Sequence, residues 1–138
     1  MVKQYIGEIE IKLVKIRQMP KKNIHEELIW LANSLGLVTK RDKDKSCYRL
    51  FLELLKSAKN QEMLTSDDLA LRLNLTRATV IHHLKNLIRL GFVKHIDNRY
   101  ILVSDSLIDL IRDIDNNYRR TMKQIYTIAK VIDDELEL

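Results

Sequence analysis

Between Leu71 and Tyr100 the chain carries Arg72, Arg77, Lys85, Arg89, Lys94 and Arg99, opposed only by Asp97. This one stretch accounts for the net charge of +5 of the whole chain. A cluster of this sign favours a polyanionic partner. Thr76, Ala78, Thr79, His82 and Asn86 lie among these cations. Hydroxyl, imidazole and amide groups can read the polar edges of bases, and a small methyl allows close approach to a thymine. By contrast, residues 104–117 set Asp105, Asp109, Asp113 and Asp115 against Arg112. A basic middle beside an acidic segment is the distribution of a localised anion-binding face. The plainer reading is a solvated surface on which charges cluster by accident.

No bond-making constellation competes with this. The sequence has no glycine-rich phosphate loop, no HExxH and no nucleophile elbow, so no catalytic residue is assigned and an enzyme is not expected. Three Gly and one Pro in 138 residues argue against a turn-rich all-β fold. A hydrophobic content of 46% is enough for a core. No apolar run approaches the length of a membrane span, and the charged opening MVKQYIGEIEIK does not read as a secretion signal, so none is expected. The single cysteine, Cys47, excludes an intrachain disulfide. That suits a reducing compartment, and the expected location is cytoplasmic. The high Ile and Lys content with few Gln suits an AT-rich or thermophilic genome.

The elements that would carry the cations are mostly helical. Residues 4–17 alternate in Ile9-Glu10-Ile11-Lys12-Leu13, which favours a strand, although a helical stripe through Val2, Ile6, Ile9, Leu13 and Ile16 also fits. Asn23 then suits the N-cap of a short helix ended by Gly36. Residues 39–45 read as a charged linker, whose cations can add backbone contacts. Ser46–Lys59 reads as a helix with a wide apolar face of Tyr48, Phe51, Leu52, Leu54 and Leu55. Thr65 suits an N-cap, with Asp68 in the place of a capping-box acid. The helix it starts, Ser66–Leu73, should bury Leu69, Leu71 and Leu73 in part. After a tight connection at Asn74-Leu75, Thr76 caps a second helix, 77–90, and Gly91 suits the left-handed position past its end. The period then drops to two. Residues 92–96 and 99–103 read as strands joined by an Asp97-Asn98 hairpin turn. From Ser104 a helical stripe runs almost to the end, about 45 Å at 1.5 Å per residue.

Helix, helix, short turn, helix and hairpin is the order of a winged helix-turn-helix. Residues 64–103, LTSDDLALRLNLTRATVIHHLKNLIRLGFVKHIDNRYILV, resemble the DNA-binding domains of ArsR-type and MarR-type transcription regulators. Thr79-Val80-Ile81-His82-His83-Leu84-Lys85 is especially like the ArsR recognition helix. The resemblance implies that residues at these helix positions contact DNA, and that the hairpin tracks the phosphate backbone or an adjacent minor groove.

At about 100° per residue, Val80, Leu84 and Leu87 share one face of helix 77–90 and should be buried. Ala78, His82, Lys85 and Arg89 point the other way, with Thr79 and Asn86 beside them. Thr76 and Arg77 stand at the positive helix end, which favours phosphate. Lys94 and Arg99 are the wing candidates, with His95 and Asn98 nearby. Some ArsR-type proteins sense metals, but adjacent His82 and His83 diverge by about 100° and rarely share an ion. The paired cysteines of one sensor class are absent from residues 66–73. No metal site or cofactor is expected, and Cys47 reads as a small core residue.

Leu107, Ile111, Ile114, Tyr118, Met122, Ile125, Ala129, Ile132 and Leu136 recur at three- and four-residue steps. Residues 46–103 are too few to cover so long a stripe. A second copy is therefore expected, with Leu107, Ile111, Ile114, Tyr118, Met122, Ile125 and Ile132 as dimer contacts. The chain's own residues 1–35 are the other possible cover. A twofold dimer would set two recognition helices roughly 34 Å apart on a palindromic site.

The expected fold class is mainly α with a small β wing. The expected domains are an N-terminal accessory segment, 1–38; the linker, 39–45; the winged helix-turn-helix, 46–103; and a C-terminal dimerisation helix, 104–138. The expected function is a homodimeric, sequence-specific regulator of transcription on double-stranded DNA, with any small effector left open. The alternative is a winged-helix subunit that binds protein or RNA within a larger transcription or replication assembly.

Overall fold

A computed structural model describes residues 19–38 and 44–138. The strand expected over residues 4–17, and most of the linker at 39–45, lie outside the described residues. The described chain is mainly helical, with one two-stranded antiparallel sheet and a long last helix. This is a winged helix-turn-helix.

Helix α1 spans Ile24–Ser34. The Asn23 carboxamide oxygen accepts the backbone N–H groups of His25 at 2.9 Å and Glu26 at 3.3 Å, satisfying two donors that the first turn leaves open. Ala32 near its end, and Leu35 and Leu37 just beyond it, enter the central core. Helix α2 spans Ser46–Lys59 and buries Cys47, Tyr48, Leu50, Phe51 and Leu54, with Leu52 and Leu55 half-covered.

Helix α3 spans Ser66–Leu73. The Thr65 hydroxyl accepts from the Asp68 N–H at 3.1 Å, and the Asp68 carboxylate accepts from the Thr65 N–H at 3.0 Å. This reciprocal cap works with the shorter Asp in place of Glu. Leu69 and Leu73 are buried, but Leu71 is 85% exposed. The expected partial burial of Leu71 is thus corrected. Two steps of about 100° carry it to the far side of the helix from Leu69 and Leu73.

Helix α4 spans Arg77–Arg89, with Leu90 as its C-cap. It ends on Gly91, whose φ of 85° lies in the left-handed region that costs a Cβ-bearing residue energy. That turn lets the Phe92 N–H reach back to the Leu87 carbonyl at 2.9 Å. Strands β1, Val93–Ile96, and β2, Arg99–Leu102, pair Val93 with Leu102 and Ile96 with Arg99. Each expected strand is shortened by one residue at its core end. Asp97 and Asn98 both take positive φ, 46° and 66°, as a two-residue hairpin of this hand requires. Leu64 adds a bridge to Tyr100 on the sheet's other edge.

Helix α5 spans Leu107–Leu136 and is capped by the Ser106 hydroxyl, so the helix expected from Ser104 starts three residues later. Its first turns pack on the core through the fully buried Leu110, flanked by Leu107, Ile111 and Ile114.

Candidate nucleic-acid interface

Helices α3 and α4 meet at a connection held by local hydrogen bonds. Asn74 turns the chain with a φ of 54°, and the Leu75 N–H bonds to the Ala70 carbonyl at 3.0 Å. From α2, an Arg49 terminal guanidinium nitrogen donates to the Leu73 carbonyl at 2.6 Å. Arg49 thus closes the end of α3 from outside the motif. Twenty-four residues separate it from Leu73, and no local pattern reveals a contact so distant in sequence.

The Thr76 side chain caps α4 by accepting the Thr79 N–H at 3.1 Å, and the two hydroxyls bond at 2.8 Å. Thr76 and Thr79 therefore first build the helix end, and what they present to a ligand is the oxygen left over. Val80, Leu84 and Leu87 are buried on the core side. Arg77, Ala78, His82, Lys85 and Arg89 are exposed on the opposite side, with Asn86 half-buried at its margin. Arg77, Ala78, Ile81, His82 and Lys85 line one shallow groove. Ile81 was not among the expected contacts. Its signal is present in the sequence, since it stands four residues from both Arg77 and Lys85.

The two histidines divide as their angular separation requires. His82 is exposed, whereas His83 is buried and its Nε2 lies 2.6 Å from Ser46 Oγ. His83 therefore joins α4 to the start of α2. Among the described residues no group of three or more His, Cys, Asp or Glu could hold a metal ion.

The cations are not equivalent. Arg72, though exposed, is held between Glu53 at 3.2 Å and Glu62 at 2.9 Å, and links α2, α3 and their loop. Arg77 lies 3.5 Å from Asp67 across the α3–α4 junction, with both side chains well exposed. Lys85 is exposed and forms no ion pair with any described residue. On the wing, Lys94 is exposed, and the Arg99 guanidinium donates to the Met63 carbonyl at 3.1 Å. Arg99 thereby fixes the hairpin to the loop before α3. The His95 ring stacks on Tyr100 with centroids 4.2 Å apart, which stiffens the same hairpin.

A second surface lies on α5. Leu107, Ile111 and Ile114 are half-buried against the chain's own core. Tyr118, Ile125 and Ile132 are 42%, 52% and 48% exposed, and Met122 is half-buried. Leu110, the most buried residue of the helix, was missed because the expected stripe passed along Leu107 and Ile111 on either side of it. No described helix is long and apolar enough to cross a membrane.

Residues 52–95, from within α2 to within β1, match the family model for bacterial regulatory protein, arsR family. No curated protein matches the chain.

Proposed function

We propose that this protein, a DNA-binding transcription regulator with an ArsR-type winged helix-turn-helix, works as a homodimer that sets α4 into the major groove of a palindromic operator. The observation that carries this reading is the division of α4. One side, Val80, Leu84 and Leu87, is sealed in the core, and the other, Ala78, His82, Lys85 and Arg89, is polar, basic and exposed. An α-helix fits a groove about 12 Å wide with such a face toward the base edges.

In this reading Arg77 and the capped helix end anchor a phosphate, with Thr76 and Thr79 beside them. His82, Lys85 and Asn86 face base edges. Ala78 allows the helix to approach closely. Arg89, Lys94 and Arg99 hold the backbone on either side. The exposed part of α5 joins two copies, so that the operator repeats with the protein's twofold symmetry. The protein then acts by occluding a promoter or by recruiting the polymerase to it.

Selection from a pool of random duplexes tests this, with the mass of the recovered complex measured alongside. A palindromic consensus bound by two chains is the expected result. Weak binding shared equally by all duplexes, and lost with salt, would contradict it and turn the search to protein and RNA partners.

A further inference from the structure

We infer that two α5 helices pair antiparallel, centred on Thr127, in one register fixed by their side chains. This rests on the homodimer proposed above and adds its direction and alignment.

Among the described residues, no apolar side chain beyond Ile114 belongs to the core or packs on it. Beyond it one apolar row runs through Tyr118, Met122, Ile125, Ala129, Ile132 and Leu136, with Tyr126, Ile128, Val131 and Leu138 outside the row. The row alternates steps of four and three, the heptad repeat of a two-helix seam. The next position back in that frame is Asp115, so the seam opens at Tyr118, where the chain's own core ends.

The flanks of the seam decide its direction. One flank carries Arg119, Tyr126 and Asp133; the other carries Thr121, Ile128 and Glu135. In an antiparallel pair each flank meets its own kind. Tyr118 then lies opposite the partner's Leu136, Met122 opposite the partner's Ile132, and Ile125 opposite the partner's Ala129. In the same register Arg119 faces the partner's Asp133, and Tyr126 and Ile128 each face their own copy. In a parallel pair the unlike flanks meet, which sets apolar Ile128 against the partner's Asp133 and gives Arg119 no acid. Burial beside an unpaired carboxylate is unfavourable. Within one chain Arg119 engages Asp115 through Nε at 3.1 Å, so its terminal nitrogens can still reach across.

Charge reversal and single-cysteine cross-linking of the full chain test the register. Arg119→Asp and Asp133→Arg each replace two attractive contacts by two repulsive ones. Each should weaken the dimer about tenfold in sedimentation. Combined in one chain, they should restore it. Ile128→Cys should form an interchain disulfide on oxidation. Met122→Cys should not, because its two copies stand about 15 Å apart along the axis. The native Cys47 is buried, and the unsubstituted chain supplies the background. Cross-linking through Met122→Cys but not Ile128→Cys would overturn the antiparallel direction. A dimer that the double reversal fails to restore would overturn the register while leaving the homodimer intact. A chain that stays monomeric at all concentrations would overturn both.

Discussion

Ser46 Oγ and His83 Nε2 share a hydrogen bond of 2.6 Å, and both side chains are buried. The bond ties the first residue of α2 to the core side of α4. The helix that faces DNA in our proposal is thus fixed from behind by a polar contact as well as by leucines. Ser46→Ala removes the partner of a buried imidazole nitrogen. It should destabilise the fold by about 1–3 kcal/mol. Urea unfolding would show this as a lower midpoint with an unchanged slope.

The Thr65–Asp68 cap makes stability depend on acid. The Thr65 backbone N–H, and then its hydroxyl, hold the Asp68 carboxyl below its ordinary value of 3.8, with smaller help from Arg72 and Arg99. The folded value lies below the unfolded one. The contribution is therefore complete above the unfolded value and is lost as pH falls through the folded value. Asp68→Asn keeps an oxygen for the Thr65 N–H but does not titrate. Its stability deficit, measured by urea unfolding, should be largest near neutral pH and should shrink below pH 3.8.

Leu69 and Leu71 lie on one helix but on opposite sides of it. Leu69→Ala should cost about 2–5 kcal/mol, because it empties a packed site. Leu71→Ala should change stability by no more than about 0.5 kcal/mol. Thermal melts of the two variants check the burial of α3 directly.

In the proposed complex Asp67 competes with a DNA phosphate for Arg77. The pair spans 3.5 Å in the open, so its own contribution is small. Asp67→Asn releases the guanidinium and removes a negative charge from the surface proposed to meet DNA. Operator affinity should rise by up to about fivefold at low salt, and the gain should fade as salt screens the charges. A fluorescence titration at two ionic strengths measures it.

The sequence made the local devices legible because each is written within a few residues. The caps at Asn23, Thr65 and Thr76 and the positive-φ hairpin at Asp97-Asn98 are of this kind, as is the apolar face of α4, whereas the periodicity starts the last helix at Ser104 and misses the Ser106 cap. The exposed side of α4 followed from the same periodicity. Contacts between residues far apart in sequence did not. Arg49 reaching Leu73, Arg99 reaching Met63 and Ser46 meeting His83 depend on tertiary packing, which no period of 3.6 or 2 encodes. Arg72 counts by sequence as part of the basic face, but Glu53 and Glu62 pair with its charge. Leu71 counted as core because leucine at alternate positions in a short helix mimics a buried face.

Base discrimination by α4 tests the account most directly. The measurement is the affinity of the enriched operator, and of each of its single-base-pair substitutions, for the native chain and for His82→Ala and Lys85→Ala. The native chain should lose about 1–3 kcal/mol for each essential base pair changed. Each variant should lose discrimination at its own position in both half-sites. Variants that bind weakly but discriminate at every position as the native chain does would contradict a reading of the bases by this helix.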